Sequence, residues 1–368
     1  MTKSNRWFLL IALLAMVAIA FAACAPSSAP TGEADTGAEA PAPAEEDGEK
    51  TIIIGFYQEP EILNPLIRTQ TVANEATNFV IEGLIDADPD GNYRAELAAE
   101  VPTIENGLVS EDGLSVTYPL REDVVWSDGE PFTCDDVLFT WELANNPESG
   151  AVNTTNLVAI ANVECPDDYT VVTTYDEFYA PFLSTFSFVM PRHATGEPAD
   201  MVNWDYNWGG VLGTGPFVLQ EWVSGDQMIF VANENYRGET GVDKVIARII
   251  PSREVGKALI TSGEIDILWD LTEADVPEFE ENPTVVVYGK AGLGTERLLL
   301  NLADPAIDAT DDPLNNPHPL LGDVRVRQAI QAGLDKQFLV DELLFGQTKV
   351  GVSELSLGWS QCDIEPSA

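Results

Sequence analysis

Residues 112–137 read DGLSVTYPLREDVVWSDGEPFTCDDV, and two structural signals sit inside this one stretch. Residues 116–120 are rich in β-forming side chains and predict a strand. Pro119 falls within that run and has no amide hydrogen for a ladder bond, so the strand belongs at the edge of a sheet. Further on, Thr133 with Asp136 forms a helix-start signal ahead of the apolar positions of 137–143. Side-chain oxygens at such positions take up backbone donors that the first helical turn leaves without partners. Cys134 sits at that helix start.

Working outward, residues 51–57, 170–175, 227–232, 245–250 and 284–288 also read as strands. Ser252 ahead of 255–260 and Thr272 with Asp275 signal further helices. The longest helical pattern covers 324–344, where Val326, Ile330, Leu334, Phe338 and Leu343 share roughly one face. No internal repeat is visible. Strands and helices mixed without strict alternation argue for an α/β protein with a mixed sheet.

The first fifty residues carry a different message. Lys3 and Arg6 precede an apolar run, 7–20, that is short for a bilayer span and suits the apolar segment of an export signal. The run ends in Phe21-Ala22-Ala23-Cys24, which resembles the cleavage box of bacterial lipoproteins, with Phe21 departing from the usual aliphatic residue. The expectation is a signal peptide over 1–23, lipidation of Cys24 and a mature chain starting there; a plain secretory cut after Ala23 is the alternative. Residues 24–50 are dominated by Ala, Pro, Gly, Ser, Thr, Glu and Asp, a composition too poor in apolar surface to order itself. As a coil, this tether would reach roughly 28 Å.

The whole chain has 368 residues and a formal charge of −43, and losing Lys3 and Arg6 with the signal would make it −45. Such a surface repels nucleic acid and anionic headgroups. With 45% hydrophobic residues the body is still globular, and its length suggests two domains or more.

Catalytic motifs are scarce. His193 and His318 are the only histidines, so a histidine-rich metal site is impossible and a Ser-His-Asp triad would rest on one isolated residue. There is no His-Glu-x-x-His, Cys-x-x-Cys, Gly-x-Ser-x-Gly or P-loop, and Gly213-Thr214-Gly215 and Gly292-Leu293-Gly294 lack the last glycine of a dinucleotide fingerprint. Two carboxylates for a hydrolase could come from anywhere among 61 acidic residues, which neither supports nor removes that reading. Asp86, Asp88, Asp90 and Gly91 copy the first half of a calcium loop, but Arg94, Glu96 and Leu97 break its second half. Asp90-Gly91 instead predicts a hairpin turn. Neither a metal nor a cofactor is expected. In an exported chain Cys134 and Cys165 are expected to pair, leaving Cys362 over.

A family resemblance rests on ordered motifs. Glu82-Gly83-Leu84, the 112–137 stretch, Gly213-Thr214-Gly215-Pro216-Phe217, Asn235-Tyr236-Arg237-Gly238, Ser262-Gly263-Glu264-Ile265-Asp266 and the run from Asp323 to Ile330 follow in sequence. Together they resemble the family 5 extracellular solute-binding proteins, the oligopeptide- and dipeptide-binding components of ABC importers. Cys134 stands where the family commonly has Ala, and members typically continue well past the 324–344 segment.

The resemblance implies an α/β, two-lobe, periplasmic-binding-protein-like fold of type II. A first lobe would come from 51–80 and 196–295, an inserted subsidiary domain from 81–195, and the start of a second lobe from 296–368. It implies a non-enzyme that captures a peptide and passes it to an ABC permease with its ATPase. The chain would be a monomer tethered outside the cytoplasm, and on its own it is expected to bind solute poorly. Thr69, Gln70 and Thr71 would lie at the cleft, with Asn153 approaching from the insertion. An oligosaccharide is the alternative solute, because Trp204, Tyr206 and Trp208 could stack on sugar faces.

Overall fold

The structure is a computed structural model and describes residues 48–88, 91–289, 296–306 and 315–351. The export signal, Cys24, most of the tether, Asp90, residues 292–294 and Cys362 lie outside them.

A five-stranded mixed sheet organises the body. β1 (Thr51–Phe56) is a run of β-branched residues and takes its partners from far along the chain. It pairs in parallel with β9 (Lys244–Ile249) on one side and with β10 (Ile267–Leu268) on the other. β8 (Gln227–Ala232) joins β9 antiparallel, and β7 (Phe217–Val223) closes the far edge against β8. β9 and β10 run parallel on either side of β1, so a crossover must join them, and α3 (Arg253–Ser262) lies in it. Ser252 caps α3 by accepting from Val255 N at 3.3 Å, and Gly263 ends it in the left-handed region at φ 75°.

Between β1 and β7 the chain builds a second unit. α1 (Thr71–Thr77) leads to a hairpin of β2 (Ile85–Ala87) and β3 (Tyr93–Ala95), paired as the Asp-Gly turn suggests. Asp86 is salt-bridged to Arg94 at 2.7 Å, and Asp88 accepts from the side chain of Asn92 at 3.0 Å. A three-stranded antiparallel sheet follows in the order β4 (Ser115–Pro119), β6 (Thr170–Thr174), β5 (Asn162–Asp167), which leaves β4 at an edge as Pro119 requires. α2 (Cys134–Asn145) packs on it, its start tied by Asp136 Oδ2 accepting from Thr133 N at 3.1 Å. Cys134 and Cys165 are disulfide-bonded with their Cα atoms 5.8 Å apart. Cys165 lies where the register of β5 against β6 shifts, between Glu164 and Asp167.

The two units share one apolar core, from Phe56, Met228 and Phe230 under the large sheet to Tyr118, Trp126 and Phe132 in the smaller one. Each such side chain contributes about 1.5–3 kcal/mol when fully buried. Arg237 adds a polar lock. Its guanidinium meets Glu82 at 2.7 Å and Glu96 at 2.9 Å, with Arg237 and Glu82 only 10% and 11% exposed. Gly213 and Gly215 pass directly beneath the chain at Val80, and a Cβ on Gly213 would lie 1.8 Å from the Val80 carbonyl oxygen.

Two sequence expectations fail in the later part of the chain. Residues 284–288 are not a strand: they have no sheet partner among the described residues, and Val286 and Tyr288 are 90% and 87% exposed. The 324–344 helix is broken into α5 (Val324–Gly333), a short α6 (Lys336–Phe338) and a π turn, Leu339–Leu343. The break falls at Leu334, in an extended conformation at ψ 109°. Of the apolar face, Val326 and Ile330 are half-buried while Leu334, Phe338 and Leu343 are exposed. The Thr272 signal does lead into a helix, but a short one, α4 (Val276–Glu280). Among the described residues no helix is long and apolar enough to cross a membrane.

Candidate functional site

A cavity of about 420 Å³ opens where the segment before α1 meets the inserted unit. Pro65, Arg68, Thr69, Gln70, Thr71 and Asn74 line it from one side, and Asn153, Ser187 and Phe188 from the other. Its local geometry starts at Asn64, which is buried and accepts from Leu66 N at 3.0 Å through Oδ1. The Asn64 carbonyl takes Ile67 N and Arg68 N, so the chain turns tightly and presents Thr69 and Thr71 outward. Gln70 braces the far end of the turn, its Oε1 accepting from Glu61 N at 2.7 Å.

Asn153 holds the two sides together. Its Nδ2 donates to Pro65 O at 2.8 Å and to Arg68 O at 2.6 Å, and its backbone N donates to Leu66 O at 3.0 Å. Both side-chain donors are therefore spent on the turn, and Asn153 acts as a positioning residue. Thr69 and Thr71 are exposed at the cavity.

Arg68 supplies the charge. Its guanidinium is largely covered, donating to Thr77 Oγ1 and to Asn74 Oδ1, each at 2.5 Å. Burial pushes the group down to about 10, with Tyr206 and Glu75 acting in the opposite sense, so it remains a cation at neutral pH. The same burial raises the Glu75 carboxyl above its ordinary value. Among the described residues no carboxylate lies within ion-pair distance of Arg68.

A second cavity, of about 550 Å³, is lined by Glu59, Glu61, Trp208, Glu221 and Trp222 among others. Trp222 Nε1 donates to Glu59 Oε1 at 2.9 Å, and Trp208 Nε1 donates to the Glu61 carbonyl at 3.2 Å.

Four of the six candidate ligand residues thus converge: Thr69, Gln70, Thr71 and Asn153 line one cavity. Trp208, 42% exposed, belongs to the other. Trp204 lines neither; it is buried, with Nε1 donating to Glu197 O at 3.1 Å, so no sugar could stack on its face. Tyr206 is equally buried, its hydroxyl bonded to Leu212 O. Sequence reasoning missed Arg68, Asn74, Ser187 and Phe188. An arginine beside Pro65 and Thr69 in so acidic a chain was a usable signal for the first.

The fold is shared with known solute-binding proteins, and the sequence comparisons place the chain among them. A family model described as bacterial extracellular solute-binding proteins, family 5 Middle, matches residues 93–367, and the chain belongs to that family. It is a family of extracytoplasmic binding proteins, not of enzymes, which removes the hydrolase reading. Protein XP55 of Streptomyces lividans is 30% identical over 357 residues, covering 95% of this chain and 60% of the relative. Oligopeptide-binding protein AppA of Bacillus subtilis is 24% identical over 368 residues, covering 98% of this chain and 63% of AppA. The chain therefore spans about three-fifths of the length of these relatives. The structure of AppA in complex with a nonapeptide superposes with a TM-score of 0.67 at 22% identity, over 84% of this chain and 59% of that one. NikZ of Campylobacter jejuni, in complex with Ni(L-His), gives 0.65 at 26% identity, over 84% and 58%.

Proposed function

We propose that this chain captures a peptide outside the cytoplasm, at the cavity formed by 65–71 and Asn153, and delivers it to an ABC permease driven by a separate ATPase. The observation that carries the reading is the docking of Asn153 on Pro65 and Arg68, which gives a family 5 chain an open cavity beside the exposed Thr69 and Thr71. Peptide is favoured over a bare metal ion because the cavity lining contains no His, Cys, Asp or Glu. It is favoured over oligosaccharide because two of the three aromatic residues proposed for sugars are buried.

In this reading 51–80 with 196–295 form the first lobe, 81–195 the insertion, and 296–368 the start of the second lobe. Cys24 carries the lipid that holds a monomeric body near the membrane. Mass spectrometry of solute released from natively purified protein, followed by calorimetry against a peptide panel, tests the proposal. Saturable binding with the peptide recovered unchanged supports it. A panel in which no peptide binds, while another solute co-purifies, overturns the peptide assignment.

A further inference from the structure

The larger cavity holds groups that take no part in the solute site proposed above. It shares no lining residue with the cavity at 65–71, and Glu59, Glu61, Trp208, Glu221 and Trp222 stand among its walls. Both indoles are fixed by their N–H edges: Trp222 Nε1 donates to Glu59 Oε1 at 2.9 Å, and Trp208 Nε1 to the Glu61 carbonyl at 3.2 Å. With those donors spent, each ring has only its π face and carbon edge left for a ligand. Phe139, Tyr236 and Tyr57 each carry an arginine over the ring, whereas among the described residues neither tryptophan of this cavity has a cation over it.

The charge around the two rings is negative throughout, for no lysine, arginine or histidine lines the cavity. The Glu59 carboxylate is bonded to neutral donors alone, Trp222 Nε1 and the Gly225 amide at 3.0 Å. Glu61 and Glu221 are exposed, and among the described residues their side chains have no ion pair. Electron-rich rings beside uncompensated carboxylates complement a cation whose surface is largely apolar. A bare metal ion is the wrong occupant: it needs several ligands in one shell, and no such group of His, Cys, Asp or Glu exists among the described residues. The volume, about 550 Å³, suits a small organic ion.

We infer that this cavity is a second binding site, for an alkylammonium cation. Trp208 and Trp222 are its aromatic walls, Glu61 and Glu221 supply the countercharge, and Glu59 positions Trp222. Free amines and lysine side chains share this chemistry. The net charge of −43 draws cations to the surface at low ionic strength. An aromatic ring at a partly exposed site contributes roughly two- to fivefold in affinity, and an exposed carboxylate a comparable factor.

The test reads the indoles directly in the whole chain. The Trp208 and Trp222 N–H resonances are assigned by their loss in Trp208→Phe and Trp222→Phe. The wild type is titrated with butylammonium, tetramethylammonium and Nα-acetyl-lysine amide, and with butanol, tert-butanol and Nα-acetyl-norleucine amide as their uncharged counterparts. Saturable shifts at both indoles with the cations, and none with the counterparts, are expected. Affinity should fall about fivefold in Glu61→Gln/Glu221→Gln, and fall in the wild type as sodium chloride is raised. Both glutamates are exposed, so that variant should fold, which thermal unfolding checks. Binding of the lysine amide alongside the free amines supports the site and extends it to peptide side chains; binding of the free amines alone supports it as a site for small amines. Indoles indifferent to all three cations, equal shifts with charged and uncharged probes, or full affinity in the double variant overturns the inference. Each of those outcomes leaves peptide capture at the cavity of 65–71 standing.

Discussion

Removing the Cys134–Cys165 bond should destabilise the protein by about 4 kcal/mol. The two cysteines are 31 residues apart, and closing such a loop in the unfolded chain contributes ~3.7 kcal/mol in the chain-entropy model. Cys134 is fully buried, so Cys134→Ser would confound the result by burying a hydroxyl. The double variant Cys134→Ala/Cys165→Ala is the cleaner perturbation. With an unfolding entropy of about 2.1 cal/mol/K per residue, a body of roughly 300 residues should lose about 6 °C in Tm. Calorimetry of the oxidised protein, the reduced protein and the double variant measures this, and non-reducing peptide mapping reports the bond itself. The helix start should stay in place, because Cys134 N still donates to Asp168 O at 2.8 Å. A Tm within about 1 °C of the oxidised protein, or two free thiols in material from an oxidising compartment, would refute the reasoning.

Arg237→Met should cost about 3 kcal/mol in chemical denaturation, because it strips half-buried Glu82 of its cation and leaves neighbouring Glu96 with Arg94 alone. Burial already raises the Glu96 carboxyl. Losing Arg237 raises it further above its unfolded value, so the deficit should be full near neutral pH and shrink as falling pH protonates the carboxyl. Gly213→Ala forces a methyl into the Val80 carbonyl and should abolish accumulation of folded protein, whereas Gly241→Ala, which meets nothing within 4 Å, should leave Tm unchanged. Asn153→Ala removes two side-chain hydrogen bonds of about 1 kcal/mol each and should weaken peptide binding about tenfold; unchanged affinity would remove Asn153 from the site. Labelling of cells with a radioactive fatty acid should mark the wild type and not Cys24→Ser, and equal labelling would end the lipidation proposal.

Features with local causes were legible in the chain of residues alone. Helix starts at Thr133 and Ser252 were legible because a cap is made by neighbours in the chain. Strands at 51–57, 170–175, 227–232 and 245–250 were legible from β-forming runs, and the family from ordered motifs. The tertiary structure decided whatever depends on a distant partner. Residues 284–288 have strand composition but no ladder among the described residues, and the 324–344 segment breaks at the extended Leu334 with Leu334, Phe338 and Leu343 exposed. The Gly213-Thr214-Gly215 motif was visible as a pattern, yet its reason, the chain passing at Val80, is a contact across more than a hundred residues. The same holds for the site. Thr69, Gln70, Thr71 and Asn153 came from resemblance, but that Asn153 is spent on the turn and that Arg68 is folded inward onto Thr77 and Asn74 follow from packing alone. A charge can be counted in a sequence, but whether it is compensated depends on which groups the fold brings within reach.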